Sequence, residues 1–227
     1  MSEQQQAISA TSVAGTRDEE RRALVGRVAA TFAAKGYHGG TLESIARESD
    51  VDLDALRDHF GDRVAVLLEV LEWHDMQGIP DGYGELTSVL DLYDRMSAEE
   101  LVEAFLAVAR SNADSPGLVQ LLSVLTAEAG APRHPARPAL QQRHELLRGI
   151  IAQAISARRE ATGGTTDPLS PEERATAVIA TWEGLQTHEA LHPRTTDLIA
   201  LLGHTLRSAL ELPPRVDTAP DGSDARA

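Results

Sequence analysis

Three helix-start signals fall within residues 41–63, close enough together that only short helices fit between them. Thr41 is a good N-cap, with Glu43 in the first turn where the helix dipole favours an anion. Asp52 is a second cap, and Val51 before it and Leu56 four residues after it have the spacing of a hydrophobic staple. Asp62 caps a third, longer helix. Two short helices, a tight turn and the start of a longer helix make the layout of a helix-turn-helix, in which the second helix lies in the DNA major groove. That second helix carries Asp52, Asp54 and Asp58 against one cation, Arg57, an unfavourable balance for a surface that meets phosphates.

The flanking patterns are also helical, and alternating strand patterns are absent. Leu24, Val28 and Phe32 recur every four residues and predict a helix over residues 17–35, with Gly36 at its C-terminal cap. Ile45 and Ala46 are the buried side of the second helix. Val66, Leu67, Val70 and Leu71 carry the fourth helix to about residue 77. Gly78, Pro80, Gly82 and Gly84 then break the pattern. Beyond them, periodicity predicts a short helix near residues 88–95 and longer ones over 98–112, 116–129 and 138–160. Ser170, Pro171 and Glu173 form a strong start signal for a helix ending at His192 and Pro193, and a last helix is expected over residues 195–212.

Composition sets limits on function. A chain of 227 residues with 42% hydrophobic content can bury a core, and no apolar run is long enough to span a bilayer. Residues 1–16 are polar and read as a disordered tail. With no cysteine there are no disulfides or thiolate metal sites, and a reduced cytoplasm fits. The net charge of −14 is the wrong sign for a non-specific nucleic-acid binder. Residues 17–75 hold eight Arg or Lys against thirteen Asp or Glu, so the question is which face carries Arg17, Arg21, Arg22, Arg47, Arg57 and Arg63. No nucleophile–histidine–acid set, phosphate loop or zinc-protease helix is visible, and neither an enzyme nor a cofactor is expected. His188 and His192 are four apart, but the sequence places no third ligand, so no metal site is expected.

Phe32, Gly36, Tyr37, Thr41, Ile45, Ala46, Val51, Leu56, His59, Phe60 and Arg63 together resemble the N-terminal pattern of TetR-family transcriptional regulators, over residues 17–75. The later region resembles the family in architecture only. The chain departs from the family pattern at several positions. Asp50 stands where Gly is common, Asp52 where Ser or Thr is common, and Asp54 where a small residue is common. Arg57 replaces a tyrosine that touches phosphate, and Arg63 replaces a lysine. Both exchanges keep a phosphate partner. Leu53, Asp54 and Ala55 are placed nearest the bases, where Asp can accept from a cytosine amino group and Leu or Ala can meet a thymine methyl.

The resemblance implies an all-α protein with an N-terminal three-helix helix-turn-helix domain and a C-terminal helical domain for ligand binding and dimerisation. Its expected divisions are a tail (1–16), the DNA-binding domain (17–77), the ligand-binding and dimerisation domain (78–212) and a second tail (213–227). DNA contacts are implied for Arg22, Thr41, Ser44, Leu53, Asp54, Ala55, Arg57, His59 and Arg63. A ligand pocket is implied around Trp73, Met76, Tyr93, Phe105, Leu121, Leu125, Trp182 and Gln186, with His74, Asn112 and His188 as further polar groups. The last two helices are amphipathic, and Val178, Trp182, Leu185, His188, Leu198, Leu202 and Leu206 are the implied dimer interface. The implied function is a ligand-responsive repressor that binds a palindromic double-stranded DNA operator as a homodimer and is released by a small-molecule effector. The alternative is a helical dimer that keeps the fold but acts by protein or small-molecule binding, its acidic third helix unable to read DNA.

Overall fold

The computed structural model describes residues 3–36, 40–77, 93 and 95–214, with side chains described from residue 17 except for Asp18, Met76 and Gln77. The expected break at residues 78–84 and most of the short helix at 88–95 lie outside the described residues. The same holds for Tyr37, the Met76 side chain and nearly all of the C-terminal tail. The described elements are all helical: α1 (Glu3–Lys35), α2 (Leu42–Glu48), α3 (Leu53–Phe60), α4 (Arg63–Gln77), α5 (Ala98–Asp114), α6 (Pro116–Glu128), α7 (Arg137–Thr162), α8 (Pro171–Leu191) and α9 (Leu198–Ala209). None is long and apolar enough to cross a membrane.

Helix α1 starts well before the expected residue 17, in place of the tail expected over residues 1–16. Those residues include three Gln and three Ala, which favour helix even without an apolar stripe, and they extend a helix already nucleated further on. The buried face of α1 is Val25, Val28, Ala29 and Phe32. It ends as expected at Gly36, whose φ of +67° suits a residue without a Cβ. The last helix differs the other way. It starts at Leu198, not Thr195, because Asp197 is its cap, accepting from Ala200 N–H at 2.9 Å. The Ser170–Glu173 capping box forms as expected: Ser170 N–H donates to Glu173 at 2.8 Å, and Glu173 N–H donates to Ser170 Oγ at 3.2 Å. Between α7 and α8, Asp167 joins Arg174 at 2.6 Å and Arg159 at 3.1 Å. The Arg174 hydrogen bond, then the Leu169 N–H, hold its carboxyl at about 2.

Two apolar clusters organise the molecule. One gathers Phe32, Ile45, Leu56, Leu67 and Val70 from α1–α4 together with Leu118, Leu121 and Leu125 from α6. The other gathers Phe105, Ile151, Ile155, Val178, Trp182, Leu202 and Leu206 from α5, α7, α8 and α9. Helix α6 thus completes the N-terminal core although it lies beyond residue 78. Its Gly117 sits against α1 so closely that an added Cβ would lie 2.9 Å from the Ala33 carbonyl carbon and nearer still to its oxygen.

Candidate nucleic-acid interface and ligand cavity

The turn between α2 and α3 is built by local chemistry. Thr41 Oγ1 accepts from Ser44 N–H at 3.3 Å, and Ser44 Oγ donates back to Thr41 O at 2.9 Å. After α2 the chain closes a Schellman-type turn, with Val51 N–H on Ala46 O at 2.9 Å and Asp50 N–H on Arg47 O at 3.4 Å. Asp50 takes φ +52°, a conformation that usually favours glycine and that Asp tolerates better than most residues. Arg27 of α1 secures this turn: its guanidinium donates to Asp50 O and stands 3.6 Å from the Asp50 carboxylate. Asp52 is the cap of α3, accepting from Asp54 N–H at 2.7 Å and Ala55 N–H at 3.0 Å. Val51 and Leu56 are buried beneath it. Asp62 caps α4 through Ala65 N–H at 2.9 Å.

This framework exposes Arg22, Thr41, Asp54, Arg57 and Asp58, and leaves Ser44, Leu53 and Ala55 half-buried. The side chains of two further expected DNA-contact residues are half-buried. The His59 side chain is 13% exposed and lies among Glu20 and Phe60, while its backbone carbonyl accepts from Arg21 at 2.8 Å. Arg63 turns inward, its guanidinium 6.0 Å from the Phe32 ring centroid with Nε and Nη2 buried. Its side chain is half-buried, with the guanidinium packed toward the core.

Arg57 is the cation on the exposed face of α3, and it is engaged. Its Nη2 donates to Glu43 Oε1 at 2.6 Å, and Asp54 lies 3.9 Å away. Glu43 stays ionised: its own backbone N–H at the start of α2, then the Thr41 hydroxyl, then Arg57 hold its carboxyl below the usual range. Other cations of the domain are also matched, Lys35 with Glu48 at 3.0 Å and Arg21 with Glu69 at 3.1 Å. Sequence reasoning placed Glu43 in the first turn but missed its pairing with Arg57, which depends on how two helices meet.

The expected ligand residues divide. Tyr93, Phe105 and Trp182 line one cavity of about 320 Å³ between α4, α5, α7 and α8, with Leu68, Leu71, Leu147 and Ile150 around them. Gln186 lines a neighbouring space with Trp182. Leu121 and Leu125 are fully buried in the core shared with the helix-turn-helix, and Trp73 packs against that same core. Their apolar periodicity marks the α6–α1 contact, not a pocket. His74 and Asn112 are buried and bonded to each other at 3.0 Å, and Asn112 also lines the space beside Gln186.

Of the expected interface residues, Val178, Trp182, Leu202 and Leu206 are buried inside the chain's own second core, with Leu185 and Leu198 packed against it; His188 is exposed. Residues buried this way offer no surface to a partner. The most apolar stripe of each helix faces its own subunit, leaving Ala177, Ala180, Thr181, Gly184 and Thr187 of α8 and Ala200, Leu201 and His204 of α9 outward. His188 and His192 lie with ring centroids 5.0 Å apart, and His188 Nε2 is 3.1 Å from Thr196 Oγ1.

No protein-family model and no curated protein matches the chain. Solved structures do. A candidate TetR-family transcriptional regulator from Mesorhizobium loti MAFF303099 is similar with a TM-score of 0.54 at 18% identity, covering 86% of this chain and 95% of that one. A protein of unknown function from Rhodococcus sp. RHA1 is similar at 0.55 and 21%, covering 85% and 94%. Native NalD of Pseudomonas aeruginosa, the secondary repressor of the MexAB-OprM multidrug efflux pump, is similar at 0.57 and 20%, covering 86% and 96%. The chain therefore has the all-α fold found in TetR-family regulators.

Proposed function

We propose that the chain is a DNA-binding transcriptional repressor that binds a palindromic operator as a homodimer and is released by a small-molecule effector. The observation that carries this reading is the exposed helix α3, held by its own cap and staple in a helix-turn-helix, within a fold shared with regulators over most of the chain. Asp54, Leu53 and Ala55 are the base-reading candidates, and Arg57, Arg22 and Thr41 the backbone contacts. Selection from random duplex DNA by the purified chain at low salt, where phosphate attraction is strongest, tests it. Enrichment of a palindrome that is lost on Arg57→Ala is the expected result. One observation favours a second reading: the engagement of Arg57 by Glu43 leaves an acidic surface on α3. Absence of enrichment at low salt would establish that reading, a protein of this fold acting without sequence-specific DNA contacts.

Dimerisation uses the outward faces of α8 and α9 in this proposal, two such pairs forming a four-helix bundle. Small residues let the helices approach closely, and Gly184 lies at the middle of the α8 face with nothing of its own subunit within 4 Å of an added Cβ. Gly184→Arg therefore leaves the protomer intact and is expected to convert a dimer into a monomer in sedimentation equilibrium. A wild-type chain that is monomeric at micromolar concentration overturns the dimer.

A further inference from the structure

The cavity between α4, α5, α7 and α8 carries a charge pattern on an otherwise apolar lining. Its wall bears Glu72 and Asp75 from α4 and Arg143 from α7. Arg143 is already engaged: its Nε donates to Asp75 Oδ2 at 2.7 Å and its Nη2 to Asp75 Oδ1 at 3.0 Å. Burial opposes the charged guanidinium, but the hydrogen bond and charge of Asp75, with Glu183 beyond, outweigh it. The pair is thus internally neutral. Glu72 adds one uncompensated negative charge, since no hydrogen bond or ion pair reaches it among the described residues.

One further feature points to a guest. The chain has only eight Phe, Trp and Tyr residues, and three of them meet here. Phe105 packs edge-on to Trp182 at 5.6 Å and tilted to Tyr93 at 6.0 Å. Aromatic faces attract cations most strongly where water is excluded.

We propose that this cavity binds an apolar organic cation, its ammonium near Glu72 and Asp75 and its apolar body on Phe105, Trp182 and Leu147. The inference deepens, and rests on, the reading of the chain as a ligand-responsive regulator. An anion of the same shape would face Glu72 and have to share Arg143 with Asp75. A neutral molecule would gain the apolar burial without the charge. Because Glu72 and Asp75 lie on α4, whose Val66, Leu67 and Val70 belong to the helix-turn-helix core, an occupant also touches the element that carries that domain.

Calorimetric titration of the full chain, without DNA, with 4-phenylbutylamine, 4-phenylbutanol and 4-phenylbutyrate compares three charges on one skeleton. The amine is expected to bind about tenfold tighter than the other two. Glu72→Gln, at an exposed position where folding is not at stake, removes most of that preference and leaves the alcohol unchanged. Tightest binding by the carboxylate, equal binding by amine and alcohol, an unaltered preference in Glu72→Gln, or no binding of any of the three at millimolar concentration overturns the proposal. Each outcome is read without DNA, so failure here leaves the DNA-selection result standing, and failure of DNA selection leaves this result standing.

Discussion

Gly117→Ala is expected to destabilise the chain by about 2 kcal/mol, although alanine is the better helix former by up to about 1 kcal/mol. Gly117 is in the first turn of α6, where α6 passes over the backbone of Ala33 in α1. A methyl group there meets a main-chain carbonyl, which cannot rotate away as a side chain can. The two helices have to separate, and the contacts of Leu118 and Leu121 with the core around Phe32 loosen with them. For a chain of this size the loss corresponds to a fall in Tm of roughly 4–8 °C. Gly149→Ala is the control. Gly149 is exposed in the middle of α7 with nothing within 4 Å of an added Cβ, so alanine there gains about 0.5–1 kcal/mol. Thermal unfolding followed by circular dichroism separates the two. Equal stabilisation by both substitutions would show that α6 does not approach α1 this closely.

The same contact marks where sequence reasoning stops. Thr41, Asp52, Asp62 and Ser170 were legible as caps because a cap acts within three residues of itself, and a residue's type and offset suffice to identify it. The apolar stripes were legible as stripes, but periodicity does not say against what they pack. Leu121 and Leu125 have helical spacing equally suited to a pocket or a core, and only the approach of α6 to α1 decides for the core. Trp182, Leu202 and Leu206 likewise marked the amphipathic faces of α8 and α9 correctly, but those faces are turned toward the chain's own interior. The charge pairs were the least legible. Arg27 reaches Asp50 across 23 residues, Arg57 reaches Glu43 across 14, and Arg143 reaches Asp75 across 68. Each depends on how segments distant in sequence pack together, which no local pattern encodes.

The Arg57–Glu43 pair yields the other large expected effect. In the proposed regulator, Arg57 has to exchange a carboxylate for a phosphate, and Glu43 remains beside it as an anion facing the DNA backbone. Glu43→Gln removes that anion and weakens the competing bond. Because the pair is exposed on both sides, its loss has little effect on stability. The effect on DNA is larger: a charge-assisted hydrogen bond to phosphate is worth about 1.5–3 kcal/mol, so a gain of about tenfold in affinity at low salt is expected. The slope of log affinity against log salt steepens by up to about 0.9, the value of one further phosphate contact. In an Arg57→Ala background most of the gain disappears, since there is no guanidinium left to release and only the relief of repulsion between Glu43 and phosphate remains. Mild acid is no substitute for the mutation. The Glu43 carboxyl is held below its usual range, so it keeps its charge, and its hold on Arg57, until the pH falls beneath the values at which an ordinary glutamate protonates. Fluorescence anisotropy on a labelled duplex, across salt and across the four variants of the cycle, measures all of this. If Glu43→Gln instead weakens binding, Glu43 is a support that aims Arg57 at the backbone, and the idea of a restraint on DNA binding fails.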